Sequence, residues 1–196
     1  MPAKSNELGI EDKLWSAAEK LRGSMDASTY RNVVLGLIFL KYVSDTFEEL
    51  HAELLASNYP EEAEERDSYD AKNVFWLPSE ARWSVIAAAA KTPEVGTTID
   101  KAMTAIEREN SSVKGVLPKN YASPDLAKEN LGEVIDLFSD VQVGNEESRK
   151  NDVLGRVYEF FLRKFATNGD GEFYTPRSIV RTLVDMIEPF KGSIYD

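Results

Sequence analysis

The residue types and spacing best suited to chemistry lie in GEFYTPRSIVRTLVDMI, residues 171–187. Thr175 followed by Pro176 predicts a helix start, with the Thr hydroxyl as N-cap and Pro at the first helical position, where no N–H is needed. The free N–H groups of such a turn, together with the helix dipole, favour an anion above them. Phe173 and Tyr174 add flat apolar walls. Together these residues make half of a pocket for an anionic or zwitterionic small molecule. The same residues also describe an ordinary capped helix with two core aromatics. From local physics alone that second reading comes first, because such caps are common.

Other constellations offer less. His51 is the single histidine and the chain has no cysteine, so an imidazole zinc site or a Ser-His-Asp triad has little to work with. His51 lies at a glutamate-rich helix end and reads as solvated. Asn168, Asp170 and Glu172 alternate oxygen ligands, but the twelfth position of a calcium loop would be Ile179 or Arg181; a flexible turn is expected there, and no metal site. No phosphate-cradling glycine loop is present. Arg149, Arg156 and Arg163 recur on one helical stripe. They could contact phosphates, but Asp152 and Glu159 each precede an Arg by four residues, the favourable order for helix ion pairs, and that reading is preferred.

The elements that position these residues are mostly helical. Leu14, Ala17, Ala18 and Leu21 share one face of a helix that Gly23 stops. A long helix is predicted over 28–56, apolar nearly all round in its first half and therefore enclosed by other helices. Its second half carries Val43, Phe47, Leu50 and Leu54 on one stripe, with Glu48, Glu49 and Glu53 off it. PEEAEERDSYD (60–70) has six carboxylates against one Arg and reads as a solvated linker. Residues 73–77 suit a short extended piece, with Ser79 as cap of the next helix. Thr92–Pro93 and Ser123–Pro124 predict two further helix starts, and SSVKGVLPKNY between them reads as a loop with room for a short strand. The helix over 148–166 buries Val153, Leu154, Val157, Phe160, Phe161 and Phe165, and TNGDG breaks it. Past Glu188 and Pro189, GSIYD reads as a strand with Asp196 at its tip. Ligands bind at the carboxyl ends of strands in open α/β sheets, so this order opens an α/β nucleotide-type domain.

The 196 residues are 42% hydrophobic, enough for a packed core, and carry a net charge of −11. That balance excludes the basic footprint of a free-standing DNA binder; contact with nucleic acid would take a local patch or charge from partners. The most apolar run, VVLGLIFL, ends at Lys41 and falls far short of the roughly 20 residues that span a bilayer. With no apolar leader segment and no cysteine, a cytoplasmic protein with no membrane contact is expected.

With these elements placed, the chain resembles the N-terminal part of the modification (M) subunit of type I restriction–modification systems, a DNA adenine methyltransferase. The matching blocks are LWSAAEKLRGSMDASTYRNVVLGLIFLKYVSDTFEE, VFWLPSEARWS, IDKAMTAIEREN, KGVLP, VIDLF, DVLGRVYEFFLRKFA and GEFYTPRSIVRTLV, in the family's order over nearly the whole chain. The resemblance implies a mainly α fold: a multi-helix bundle over 1–166, then the first helix and strand of a Rossmann-like methyltransferase domain over 167–196. It implies S-adenosyl-L-methionine as cofactor, lined by Glu172, Phe173, Tyr174, Thr175, Pro176 and Arg177, with Thr175 and Pro176 near its methionine end. Asp196 would open the family's glycine-rich motif.

The Asn-Pro-Pro-aromatic motif that holds a flipped adenine does not occur in the sequence. No catalytic residue is therefore assigned, and the chain is expected to be cut inside the domain's first strand and inactive alone. The implied partners are DNA, one specificity subunit that reads the sequence, a second modification subunit, and restriction subunits in the larger complex. The helical domain would help close around DNA. A stand-alone acidic helical interaction module, a regulator or DNA mimic, is the competing reading; it draws on the net charge and the missing catalytic motif.

Overall fold

Asp26 begins the longest helix of the protein. Its Oδ1 accepts hydrogen bonds from the N–H groups of Ser28 and Thr29, both at 3.0 Å, which satisfies two donors that the first turn leaves without helical partners. The computed structural model describes residues 8–23, 25–141, 143, 153–167, 175 and 177–187. The helices among them are α1 (Leu8–Glu19), α2 (Ala27–Leu55), α3 (Arg66–Asp70), α4 (Trp83–Ala89), α5 (Val95–Glu109), α6 (Lys128–Ser139), α7 (Val153–Thr167) and α8 (Arg177–Ile187). No strand occurs among the described residues, and the GSIYD segment lies outside them. The chain divides into two compact units, Met1–Phe161 and Leu162–Asp196, with the division inside α7.

The first unit is built around α2. Val33, Val34, Leu37, Ile38, Leu40 and Val43 are buried, so its first half is enclosed as the apolar run predicts. Phe47, Leu50 and Leu54 continue the buried stripe, while Glu48 and Glu53 are exposed. On α1, Leu14, Ala17 and Ala18 are buried, with Leu21 just beyond the helix end, and Gly23 has a positive φ of 40°. Trp15 meets Phe161 at 5.4 Å and Phe160 at 6.4 Å, which seats the middle of α7 on α1.

Tyr121 locks α2, α5 and the loop before α6 together. Its buried hydroxyl donates to Val33 O at 2.9 Å. Gly36 and Gly96 permit the approach: a Cβ at Gly36 would lie 2.3 Å from the Tyr121 hydroxyl, and one at Gly96 would lie 2.1 Å from its carbonyl oxygen. The Tyr121 and Ala122 N–H groups are held by the Asp100 carboxylate, both at 3.0 Å.

Several expectations need correction. Segment 60–70 is folded: a 3-10 turn over Pro60–Glu64 and helix α3 bury Ala63 and Tyr69 completely, with the carboxylates mostly on the outside. Two apolar anchors suffice to dock it onto α2. His51 is half-buried, stacked on Phe47 at 5.5 Å, and its Nδ1 lies 2.8 Å from the Tyr69 hydroxyl. Ser79 opens a 3-10 turn; α4 starts only at Trp83, whose N–H donates to Ser44 Oγ of α2 at 2.7 Å. Thr92 bonds back to Ala89 O at 2.9 Å, and α5 begins at Val95. Ser123 Oγ accepts from Asp125 N–H at 3.3 Å, and α6 begins at Lys128. The Thr92 and Ser123 hydroxyls serve local turns that precede their helices, and the Ser79 hydroxyl donates to the Glu80 carboxylate at 3.4 Å.

Residues 74–78 form no regular element, and Asn73, where an extended piece was expected to begin, has a positive φ of 55°. The Asn110 side chain holds this segment, accepting from Trp76 N–H at 3.1 Å and donating to Trp76 O at 3.0 Å.

Candidate functional site

The predicted cofactor-facing segment leads into α8. The helix begins at Arg177, and Thr175 stands two residues before it with its side chain exposed. Glu172, Phe173, Tyr174, Pro176 and Asp196 lie outside the described residues, and Arg177 is placed only as the first helical residue. Within α8, Ile179, Val180, Leu183, Val184 and Ile187 recur at helical spacing, and each is between 44% and 72% exposed. An apolar stripe of this width belongs on the inside of a fold.

Several charged side chains of the first unit serve structural roles. Arg156 Nη2 donates to Glu11 Oε1 at 2.9 Å, a tertiary pair between α7 and α1; Arg149 and Asp152 lie outside the described residues. Lys41, the residue that ends the apolar run, is 4% exposed. It pairs with Asp45 one turn on and lies 5.7 Å from the centre of the Trp83 ring. Asp45 Oδ2 also accepts from Val143 N–H at 3.0 Å, and Trp83 Nε1 donates to Ser139 Oγ at 2.8 Å. This buried polar cluster joins α2, α4, α6 and the segment after α6. A lysine at the edge of an apolar run was its one sequence signal.

Glu107 does the same for a loop. It is buried on the last turn of α5; Oε1 accepts from Leu117 N–H at 2.8 Å and Oε2 from Lys119 Nζ at 2.6 Å. Burial acts to raise its pKa, but the bonds from Lys119, Leu117 and Gly115 outweigh it and hold the carboxyl below its ordinary value. Two pockets flank these elements. One, of about 400 Å³, lies between the end of α4 and α6, lined by Ala90, Pro93, Lys128 and Gly132 among others. The second, of about 370 Å³, is lined by Arg66, Asn73, Phe75, Ser111 and Ser112 among others. No group of three or more His, Asp or Glu suited to a metal ion occurs among the described residues. No helix among them is long and apolar enough to cross a membrane.

Comparison with known proteins gives these elements a context. The family model described as HsdM N-terminal domain matches residues 10–138, and the one described as N-6 DNA Methylase matches residues 149–196. The type I restriction enzyme MjaIX methylase subunit of Methanocaldococcus jannaschii is 38% identical over 205 aligned residues, covering 95% of this chain and 37% of that protein. The HindI methylase subunit of Haemophilus influenzae is 35% identical over 144 aligned residues, 61% of this chain and 32% of that protein. The chain thus spans about a third of the length of these relatives. Among solved structures, the type I restriction-modification system methyltransferase subunit from Streptococcus thermophilus superposes with a TM-score of 0.70 at 20% identity, over 93% of this chain and 44% of that one; that likeness speaks for the fold. The buried helical frame of the first unit, and the helix that follows Thr175, are accordingly those of a known line of proteins: the chain belongs to the family of type I restriction–modification methylase subunits.

Proposed function

We propose that this chain is the N-terminal part of a subunit that transfers a methyl group from S-adenosyl-L-methionine to the exocyclic amine of adenine in DNA. The observation that carries the reading is the ordered pair of family matches, with the N-6 DNA Methylase match covering the segment around Thr175 and α8. In this reading residues 1–166 form the helical domain and 167–196 open the methyltransferase domain. The segment Glu172–Arg177 faces the cofactor, with the first-turn N–H groups of α8 favouring its anionic end, and Asp196 joins it from the following strand. The exposed apolar stripe of α8 supports a place for this helix inside a larger α/β layer.

The chain's own contribution to catalysis is positioning. It offers one wall of the cofactor site and a rigid helical domain that helps close around DNA and meets partner subunits. The partners are a specificity subunit, a second modification subunit and, in the larger assembly, restriction subunits. No Asn-Pro-Pro-aromatic motif occurs in the 196 residues, so by themselves they transfer no methyl group. The test is methyl transfer by the complete subunit assembled with its specificity subunit. Label from the cofactor's methyl group should enter duplex DNA as N6-methyladenine; absence of transfer overturns the reading.

A further inference from the structure

The loop after α5 is fastened more firmly than its surface warrants. Asn110 clamps the Trp76 backbone, Glu107 collects Leu117 N–H and the Lys119 ammonium, and Asp100 and Tyr121 hold the far end. Between these anchors the tip Lys114–Gly115–Val116 stands in solvent. Val116 is 73% exposed. Gly115 has φ +78°, with nothing within 4 Å of where a Cβ would be. Desolvating a carboxylate costs free energy, and here it immobilises a tip that buries nothing. Scaffold-held loops of this kind are where binding residues concentrate.

The tip's chemistry suits a phosphodiester backbone. Lys114 is exposed and makes no ion pair among the described residues. Gly115 leaves the main chain open to close approach. Ser111 and Ser112, both exposed, lead into the tip and line the 370 Å³ pocket beside Arg66 and Asn73. Lysine and serine hydroxyls are usual phosphate contacts; the tip's own N–H groups are engaged within the loop, Lys114 by Ser111 O, Val116 by Val113 O and Gly115 by Glu107. The acids nearby are already engaged: Glu80 and Glu109 by Arg108, Asp70 by Arg66, and Glu107 by Lys119. In a chain of net charge −11, this is a surface where a polyanion meets little repulsion.

We propose that the loop 111–116, held rigid by Glu107, contacts the DNA backbone, with Lys114 on a phosphate. This rests on the DNA-methylating reading above and deepens it by naming a contact. The test is duplex binding by the complete subunit with its specificity subunit, measured against salt concentration for wild type, Lys114→Gln and Lys101→Gln. Lys101 is an exposed lysine of α5 with no ion pair among the described residues. Loss of one phosphate contact should make the slope of log K against log salt shallower by about 0.9 in Lys114→Gln and leave it unchanged in Lys101→Gln. Equal slopes for all three proteins, or equal loss in both variants, overturn the contact while leaving the methylase reading intact. So does weaker binding of the specificity subunit by Val116→Ser with an unchanged slope in Lys114→Gln, which would make the tip a protein contact. A wild-type assembly that binds no duplex overturns both readings.

Discussion

Asp26 and Thr175 show how differently single residues can be read. Asp26 caps α2 with a carboxylate that hydrogen bonds from the Thr29 hydroxyl, and then from the Thr29 and Ser28 N–H groups, hold below its ordinary pKa. A depressed carboxyl stabilises the fold above its unfolded pKa, and the effect is lost as pH falls through the folded value. Asp26→Ala should therefore lower the melting temperature at neutral pH, and the gap to wild type should close in acid; a gap independent of pH would contradict the cap's charge. Thr175 is proposed to face the cofactor. In the complete subunit, Thr175→Ala removes at most a cap of about 1 kcal/mol, so calorimetry should find cofactor affinity falling by more than the melting temperature suggests. Unchanged affinity would remove Thr175 from the site. Asp26 was not singled out from the sequence, although an Asp just ahead of a helical pattern is the signal that could have found it. The partners of His51 were not legible, because an imidazole on a glutamate-rich helix gives no local sign of the Tyr69 and Phe47 that meet it.

At the scale of elements, hydrophobic period was the reliable guide and capping the unreliable one. The enclosed first half of α2 and the stripe Val43, Phe47, Leu50, Leu54 follow from spacing alone. The starts of α4, α5 and α6 fell later than the Ser and Thr signals, because the Thr92 and Ser123 hydroxyls serve turns and Ser79 bonds to the Glu80 side chain. The N–H that opens α4 is met by Ser44, 39 residues away. Segment 60–70 hid its fold behind its charge; Tyr69 and Ala63 were the informative residues there. The Lys41–Asp45 pair is likewise tertiary in meaning, since Asp45 also holds Val143 N–H. Removing one member of a buried pair costs about 3–5 kcal/mol, whereas replacing both with apolar residues is often neutral. Lys41→Met should accordingly lower stability by about that much in denaturant titration. The double variant Lys41→Met/Asp45→Leu should recover most of it, less the Val143 hydrogen bond. A single variant as stable as wild type would contradict the role given to this pair.

For the whole molecule, the sequence carried the family further than the geometry. Ordered blocks from Leu14 to Val184 pointed to a type I methylase subunit, and the family matches agree. The site itself was less legible, because a capped helix start with two neighbouring aromatics reads equally well as an ordinary packed feature. The exposed stripe Ile179, Val180, Leu183, Val184 and Ile187 fits a helix that functions within a larger domain. The most direct measurement of the central claim is transfer of labelled methyl groups from S-adenosyl-L-methionine to duplex DNA by the complete subunit with its specificity subunit, followed by nucleoside analysis. The account predicts label in N6-methyladenine, reduced in Thr175→Ala; no transfer, or label on cytosine, would contradict it.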